Sequence, residues 1–244
     1  MKICTIVGAR PQFIKAAMVS KAIRDHNARV TSHESRVTEI LVHTGQHYDR
    51  EMSQIFFDQL EIPEPNYHLE IGSGFHGDQT GRMLAGIEKV LLDEKPDAVL
   101  VYGDTNSTLA GSLAAAKLHI PVGHVEGGMR SFNRRMPEEI NRVLTDQLSD
   151  LLYTTERSAL ANLLREGIAE ARVHFVGNVM IDTLRAHLER AVPVATTLGE
   201  RPERGYAVVT LHRPSNVDDA QVLRRLLDTL DHIAGEVDVV FPIH

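Results

Sequence analysis

Three carboxylates and several arginines fall, by their spacing, at the ends of short apolar runs. Asp104 follows Ala98–Tyr102 through Gly103, Glu126 follows Val122–Val125, and Glu138 opens the helical stretch that begins at Met136-Pro137. Arg130, Arg134 and Arg135 occupy the loop between the last two. Carboxylates crowded at a half-buried mouth repel one another, so at least one is expected to bind its proton more tightly than usual. Proton transfer to and from carbon or oxygen near neutral pH needs that arrangement. Asp104 alone could cap the following helix, and Glu138 alone could be favoured by a helix dipole. Three converging acids with several cations are not accounted for by capping. His124, Glu126 and Asp104 also offer a metal reading, because His-x-Glu on a strand places both side chains on one face. No spacing matches a zinc pattern, and no metal is expected.

A second group gathers after the first apolar run, where Gly8-Ala9-Arg10-Pro11 is followed by Lys15. One glycine is not a G-x-G-x-x-G fingerprint, and no G-x-x-x-x-G-K-[ST] loop is present, so no dinucleotide cofactor is implied. The tight turn places a guanidinium over a helix N-terminus, a pairing that suits an anion such as phosphate. The lesser alternative makes Arg10 a surface residue paired with a nearby acid. Another run ends in Thr44-Gly45-Gln46-His47.

These residues need a scaffold that brings strand ends to one edge. Strands are predicted at Lys2–Gly8, Glu39–Thr44, Ala98–Tyr102, Val122–Val125, Leu151–Thr154 and Val173–Val176. Several are apolar almost throughout, as strands covered on both faces should be. Amphipathic segments lie between them, at Pro11–His26, Glu51–Leu60, Asp78–Glu94, Ser107–Leu118, Pro137–Ser149 and Ser158–Arg165. This β-α alternation predicts an α/β fold, a doubly wound parallel sheet of Rossmann-like type. Ligands in such sheets bind beyond the carboxyl ends of the strands.

The pattern then restarts. Residues 1–178 read as the first domain, and 179–205 as a connecting helix and linker. Residues 206–244 read as the beginning of a second domain, with a strand, a helix (Asp218–Gly235) and another strand. Two strands and one helix cannot bury enough surface to stand alone, so this second domain is expected to be incomplete.

The 244 residues are 43% hydrophobic and 24% charged, ordinary for a globular protein. A net charge of −7, with arginines interspersed among acids, argues against a nucleic-acid partner. No run approaches a membrane span or a signal peptide, and the one cysteine, Cys4, sits mid-strand, so a cytoplasmic setting is expected.

Taken together, Gly8-Ala9-Arg10-Pro11-x-x-Ile14-Lys15, Thr44-Gly45-Gln46-His47, Gly103-Asp104-Thr105, His124–Phe132 and Arg135-Met136-Pro137-Glu138-Glu139-Ile140-Asn141-Arg142 resemble the non-hydrolysing UDP-N-acetylglucosamine 2-epimerases. The likeness runs the length of the chain and is most specific from His124 to Asp146. It implies two Rossmann-like domains in a glycosyltransferase-B arrangement, a homodimer, and a UDP-sugar substrate. It implies inversion at C2 of the sugar by elimination and re-addition of UDP. By motif position Asp104, Glu126 and Glu138 would form the proton-transfer set, with His212 reaching in from the second domain. Arg10 and Lys15 would lie near the diphosphate and sugar; Gln46, His47, Arg130, Arg135 and Arg213 are the remaining substrate-binding candidates. After His212 the chain reads Arg213-Pro214-Ser215-Asn216, departing from the family's frequent Arg-Arg-Glu-Asn. The family's later uridine- and diphosphate-binding half has no counterpart here, so this chain alone is expected to bind UDP weakly and turn over little. A 2-epimerase of UDP-2,3-diacetamido-glucuronic acid, a glycosyltransferase of the same architecture and a non-catalytic nucleotide-sugar-binding fragment are the other readings. The pathway served, whether lipopolysaccharide, teichoic-acid linkage or capsule, stays open.

Overall fold

The structure, a computed structural model, describes residues 1–32, 35–45, 57–199, 205–211 and 214–242. Within them the chain divides into two compact units, Met1–His187 and Leu188–His244.

The first unit is built on a seven-stranded sheet. Its strands are β1 (Lys2–Val7), β2 (Thr38–His43), β3 (Tyr67–His68), β4 (Ala98–Tyr102), β5 (Val122–Val125), β6 (Leu151–Thr154) and β7 (Val173–Phe175). They lie in the order β3-β2-β1-β4-β5-β6-β7, and every pairing is parallel. The helices between them are α1 (Arg10–Arg29), α2 (His76–Glu94), α3 (Asn106–Lys117), α4 (Pro137–Leu148), α5 (Ser158–Arg165) and α6 (Val179–His187). The doubly wound α/β class read from the sequence is therefore the fold. The two-residue edge strand β3 has no counterpart in the sequence pattern, being too short to show alternation. Most of the helix expected at Glu51–Leu60 lies outside the described residues.

Alternation along β1 explains how both faces are covered. Cys4 and Ile6 join Met83, Ile87, Leu91, Ala110 and Ala114 on one side. Val7 joins Phe13, Ala16, Ala17 and Leu41 on the other, against α1. Each buried Ile, Leu, Met, Phe or Val among these contributes roughly 1.5–3 kcal/mol by leaving water. Cys4 is fully buried, and burial, with the charges of Glu94 and Glu39 beside it, pushes its thiol up to about 12. It is a core residue, inert as a nucleophile. The helix α6 docks on α1, where the Thr183 hydroxyl donates to the Ile14 carbonyl at 2.7 Å.

The topology selects one place for chemistry. From β1 the chain winds outward through β2 and β3, then crosses back to β4 and winds the other way. Loops after β1 and β4 part at that reversal and leave a crevice, which lies at the carboxyl ends of the strands.

In the second unit, α7 (Val194–Leu198) occupies part of the stretch expected to be linker. Then β8 (Tyr206–Val208), α8 (Pro214–Val217), α9 (Ala220–Ala234) and β9 (Asp238–Val240) follow, with β8 and β9 paired in parallel. Asp219 caps α9, its carboxylate accepting from Gln221 N–H at 2.8 Å and Val222 N–H at 3.1 Å. Among the described residues no helix is long and apolar enough to cross a membrane.

Candidate active site

The turn after β1 is closed by Gln12, a fully buried side chain. Its amide oxygen accepts from Gly8 N–H at 2.7 Å and Ala9 N–H at 3.0 Å. Its amide nitrogen donates to the Tyr102 carbonyl at 2.9 Å and to the Thr108 hydroxyl at 3.0 Å. One side chain thus staples the loop after β1 to the loop after β4. This changes the anion reading of the helix N-terminus. Gly8 and Ala9 spend their N–H groups on Gln12, Gln12 and Phe13 donate theirs to the Ala9 carbonyl, and Pro11 has none. An anion here would be met chiefly by the half-buried Arg10 side chain. A Cβ at Gly8 would fall 2.0 Å from Thr44 Oγ1 and 2.3 Å from Ser107 Oγ, two hydroxyls already bonded to each other at 2.8 Å. Gly8→Ala is expected to lower stability by about 1–3 kcal/mol, read as a reduced urea midpoint; an unchanged midpoint would show that the turn relaxes freely.

Gly103 makes the turn after β4 with φ +64°, and Asp104 follows it. Thr105, not Asp104, is the N-cap of α3, its hydroxyl accepting from Thr108 N–H. The Asp104 carboxylate is left to Arg142, whose Nη2 donates to it at 2.5 Å. Asn141 Nδ2 donates to the Asp104 carbonyl at 2.9 Å.

Glu126 stands at the end of β5 with φ +77°, a left-handed conformation that disfavours side chains. Such backbone costs about 1–3 kcal/mol and gathers at functional sites. Lys15, almost fully buried on α1, pairs with the Glu126 carboxylate. Both groups crowd Gly103, where a Cβ would come within 3.1 Å of Lys15 Nζ and 3.3 Å of Glu126 Oε2. Lys15 and Glu126 are therefore brought together beside Gly103, which Asp104 follows. The crowding of acids against acids expected from the sequence is relieved, because Asp104 and Glu126 each hold a cation.

On α4, Glu138 is exposed and sits on the same face as Asn141 and Arg142, one turn before them. Those two residues reach Asp104. Its neighbour Glu139 is buried. It accepts from Ser131 N–H and Oγ, each at 2.9 Å, from Phe132 N–H at 2.8 Å and from Arg142 Nη1 at 2.9 Å. Burial opposes its ionisation, yet these donors outweigh it and hold the carboxyl down at about 2. A depressed carboxyl stabilises the fold above its unfolded value, about 4.3, and that contribution fades as pH falls toward 2. Glu139→Gln is expected to cost about 2–3 kcal/mol at pH 7, with the variant and parent stabilities converging between pH 4.5 and 2. Parallel denaturation curves across that window would contradict the assignment.

His124 is fully buried. Its Nε2 faces the Gly103 carbonyl at 2.7 Å and therefore donates, while Nδ1 lies 2.6 Å from Asp146 Oδ1. Both nitrogens are engaged, which removes His124 from the metal reading. Among the described residues no group of three His, Cys, Asp or Glu could hold a metal ion. Arg130, a substrate-binding candidate, is turned inward with its side chain 1% exposed. It meets Asp146 Oδ2 at 2.7 Å and Glu166 at 2.5 Å and 2.8 Å. Asp146 also accepts from Gly128 N–H at 3.0 Å. Burial would raise the Asp146 carboxyl, but His124 and Arg130 overcome it and hold it below its ordinary value. Arg134 and Arg135 are exposed. Gln46, His47, His212 and Arg213 lie outside the described residues.

Sequence reasoning passed over Gln12, Glu139, Asn141, Arg142 and Asp146. Gln12 stands at the third helical position, where a capping-box side chain reaches back to the turn. Glu139 and Arg142 stand at i and i+3. The other contacts are long-range and leave no local spacing.

Known proteins resemble this chain in sequence and fold. The family model for UDP-N-acetylglucosamine 2-epimerase matches residues 29–244. A Pseudomonas aeruginosa UDP-2,3-diacetamido-2,3-dideoxy-D-glucuronate 2-epimerase is 52% identical over 247 residues, covering all of this chain and 67% of its own length. The crystal structure of Methanocaldococcus jannaschii UDP-GlcNAc 2-epimerase, in complex with UDP-GlcNAc and UDP, superposes with a TM-score of 0.87 at 44% identity. It covers 100% of this chain and 66% of its own. A lipopolysaccharide outer core galactosyltransferase is alike in fold alone, with a TM-score of 0.54 at 14% identity over 99% of this chain and 68% of its own. The chain thus spans about two thirds of the length of the relatives it matches.

Proposed function

Because the chain belongs to the UDP-N-acetylglucosamine 2-epimerase family, we propose that the protein carrying it interconverts UDP-N-acetylglucosamine and UDP-N-acetylmannosamine. One observation carries the reading. Lys15, Glu126 and Asp104 converge on Gly103 at the reversal of the sheet, with the carboxylates partly open to solvent.

A carboxylate takes the C2 proton while the C1–O bond breaks, and UDP leaves with the bonding electrons. A C1=C2 double bond forms. UDP then adds back through oxygen at C1, and C2 receives a proton on the opposite face. The C2–H bond is barely acidic, so cations must stabilise the departing diphosphate. Glu126, Asp104 and Glu138 are the proton carriers in this reading. Arg10 and Lys15 supply positive charge; by motif position alone, His212 is a further catalytic candidate, and Gln46, His47 and Arg213 are further substrate-binding candidates. No cofactor is needed for a step without net oxidation. Arg130 frames the loop from within the fold, and Arg135 stays at the surface.

A second reading, epimerisation of UDP-2,3-diacetamido-glucuronate, is supported by the 52% identity to the Pseudomonas enzyme. Its extra carboxylate calls for an added cation, and exposed Arg134 and Arg135 are available. Offering each UDP-sugar separately and comparing kcat/KM separates the two. At least a tenfold preference names the substrate, and no turnover of either removes both.

The protein is read as a cytoplasmic homodimer. Ile140 and Leu144, 40% and 45% exposed one turn apart on α4, support an apolar contact. Light scattering should give twice the chain mass; a monomer at micromolar concentration would contradict this.

A further inference from the structure

We propose that His124 is a positioning residue for proton transfer, acting by locking the Gly103 carbonyl so that Asp104, Lys15 and Glu126 meet in one geometry. The inference rests on the functional reading above and goes beyond it, since His124 touches no substrate. Gly103 is gripped from two sides. Its N–H donates to the Val125 carbonyl at 2.9 Å, and its carbonyl accepts from His124 Nε2 at 2.7 Å. Both contacts come from β5, the strand that ends in Glu126. Gly103 is thus held through the peptide units on both sides of its Cα, and its φ of +64° fixes where Asp104 departs.

The other ring nitrogen determines how His124 stands. Asp146 Oδ1 lies 2.6 Å from Nδ1, and the carboxylate is itself fixed by Arg130 at 2.7 Å and Gly128 N–H at 3.0 Å. Arg130 is anchored in turn on Glu166. Asp146 comes from α4, whose Asn141 and Arg142 hold Asp104 from its far side. One helix thus fixes Asp104 directly and, through Asp146 and His124, the residue before it. A displacement of about 1 Å at a reacting group can cost about a hundredfold in rate.

Two measurements test the proposal. In the chain labelled with ¹³C and ¹⁵N, a scalar coupling between His124 Nε2 and the Gly103 carbonyl carbon should be detectable, and its absence would overturn the contact. In a protein joining this chain to the remaining third found in its relatives, His124→Gln replaces two ring nitrogens by one donor nitrogen beside an acceptor oxygen and cannot reproduce the bonds to Gly103 and Asp146 together. It should lower kcat about 10–100-fold while KM stays within about twofold. A folded variant with unchanged kcat, or one altered only in KM, would overturn the role. Should that variant not fold, the coupling decides. A parent that exchanges no C2 proton would sink the functional reading, while a missing coupling in an active parent sinks His124 alone.

Discussion

Glu126→Gln should lower epimerisation about 10²–10⁴-fold, the range that a positioned acid or base contributes. The amide keeps the volume and can still contact Lys15, but it cannot accept a proton from carbon. Binding should change far less than rate, because the substrate's ground state needs no base. Isotope exchange at C2 should disappear together with turnover if Glu126 removes the proton, whereas a slowed return step would leave exchange running ahead of epimerisation. The side chain is costly to keep where it is. At φ +77° a glycine would be easier on the backbone, so the carboxylate is retained against conformational preference. A Glu126→Gln protein with more than a tenth of parental kcat would remove Glu126 from the proton-transfer set.

Asp146→Asn should destabilise the first unit by about 3–5 kcal/mol, the usual result of removing one partner from a buried charge network. Asp146 is an acceptor for His124, Arg130 and Gly128 N–H at once. An asparagine amide offers one acceptor oxygen and turns its NH₂ toward a donor. Against a typical total of about 5–15 kcal/mol, the loss should be plain in a urea curve. The pH dependence has a defined sign. The folded-state carboxyl is held below its ordinary value, so its contribution is full above about pH 4 and fades as pH falls through the folded value. A loss below 1 kcal/mol at pH 7 would show that the network relaxes around the amide.

Much of this molecule is readable from local pattern. The β-α alternation names the fold, and one turn glycine marks the crevice, because strands buried on both faces are apolar runs that punctuation can bracket. Glu126 is legible because it directly follows such a run, and Asp104 because it lies one glycine beyond another. Glu139 is less so, since two adjacent glutamates on a helix look alike until the loop at Ser131-Phe132 folds back onto one of them. Arg130 reads as a substrate-binding cation because nothing nearby announces Glu166, 36 residues on. Asp146 and Gln12 matter through contacts across 22 and 90 residues, and helix or strand periodicity carries no information at that range.

Every role proposed for this site requires that it move a proton at C2 of a UDP-linked 2-acetamido sugar. The most direct test is proton NMR in D₂O of UDP-N-acetylglucosamine, and separately of the diacetamido-glucuronate, with a protein joining this chain to the remaining third of its relatives. An Asp104→Asn control accompanies each. Deuterium should enter C2 as the epimer accumulates, with neither change in the control. Retention of the C2 proton in both sugars, or release of free sugar and UDP without exchange, would contradict those roles.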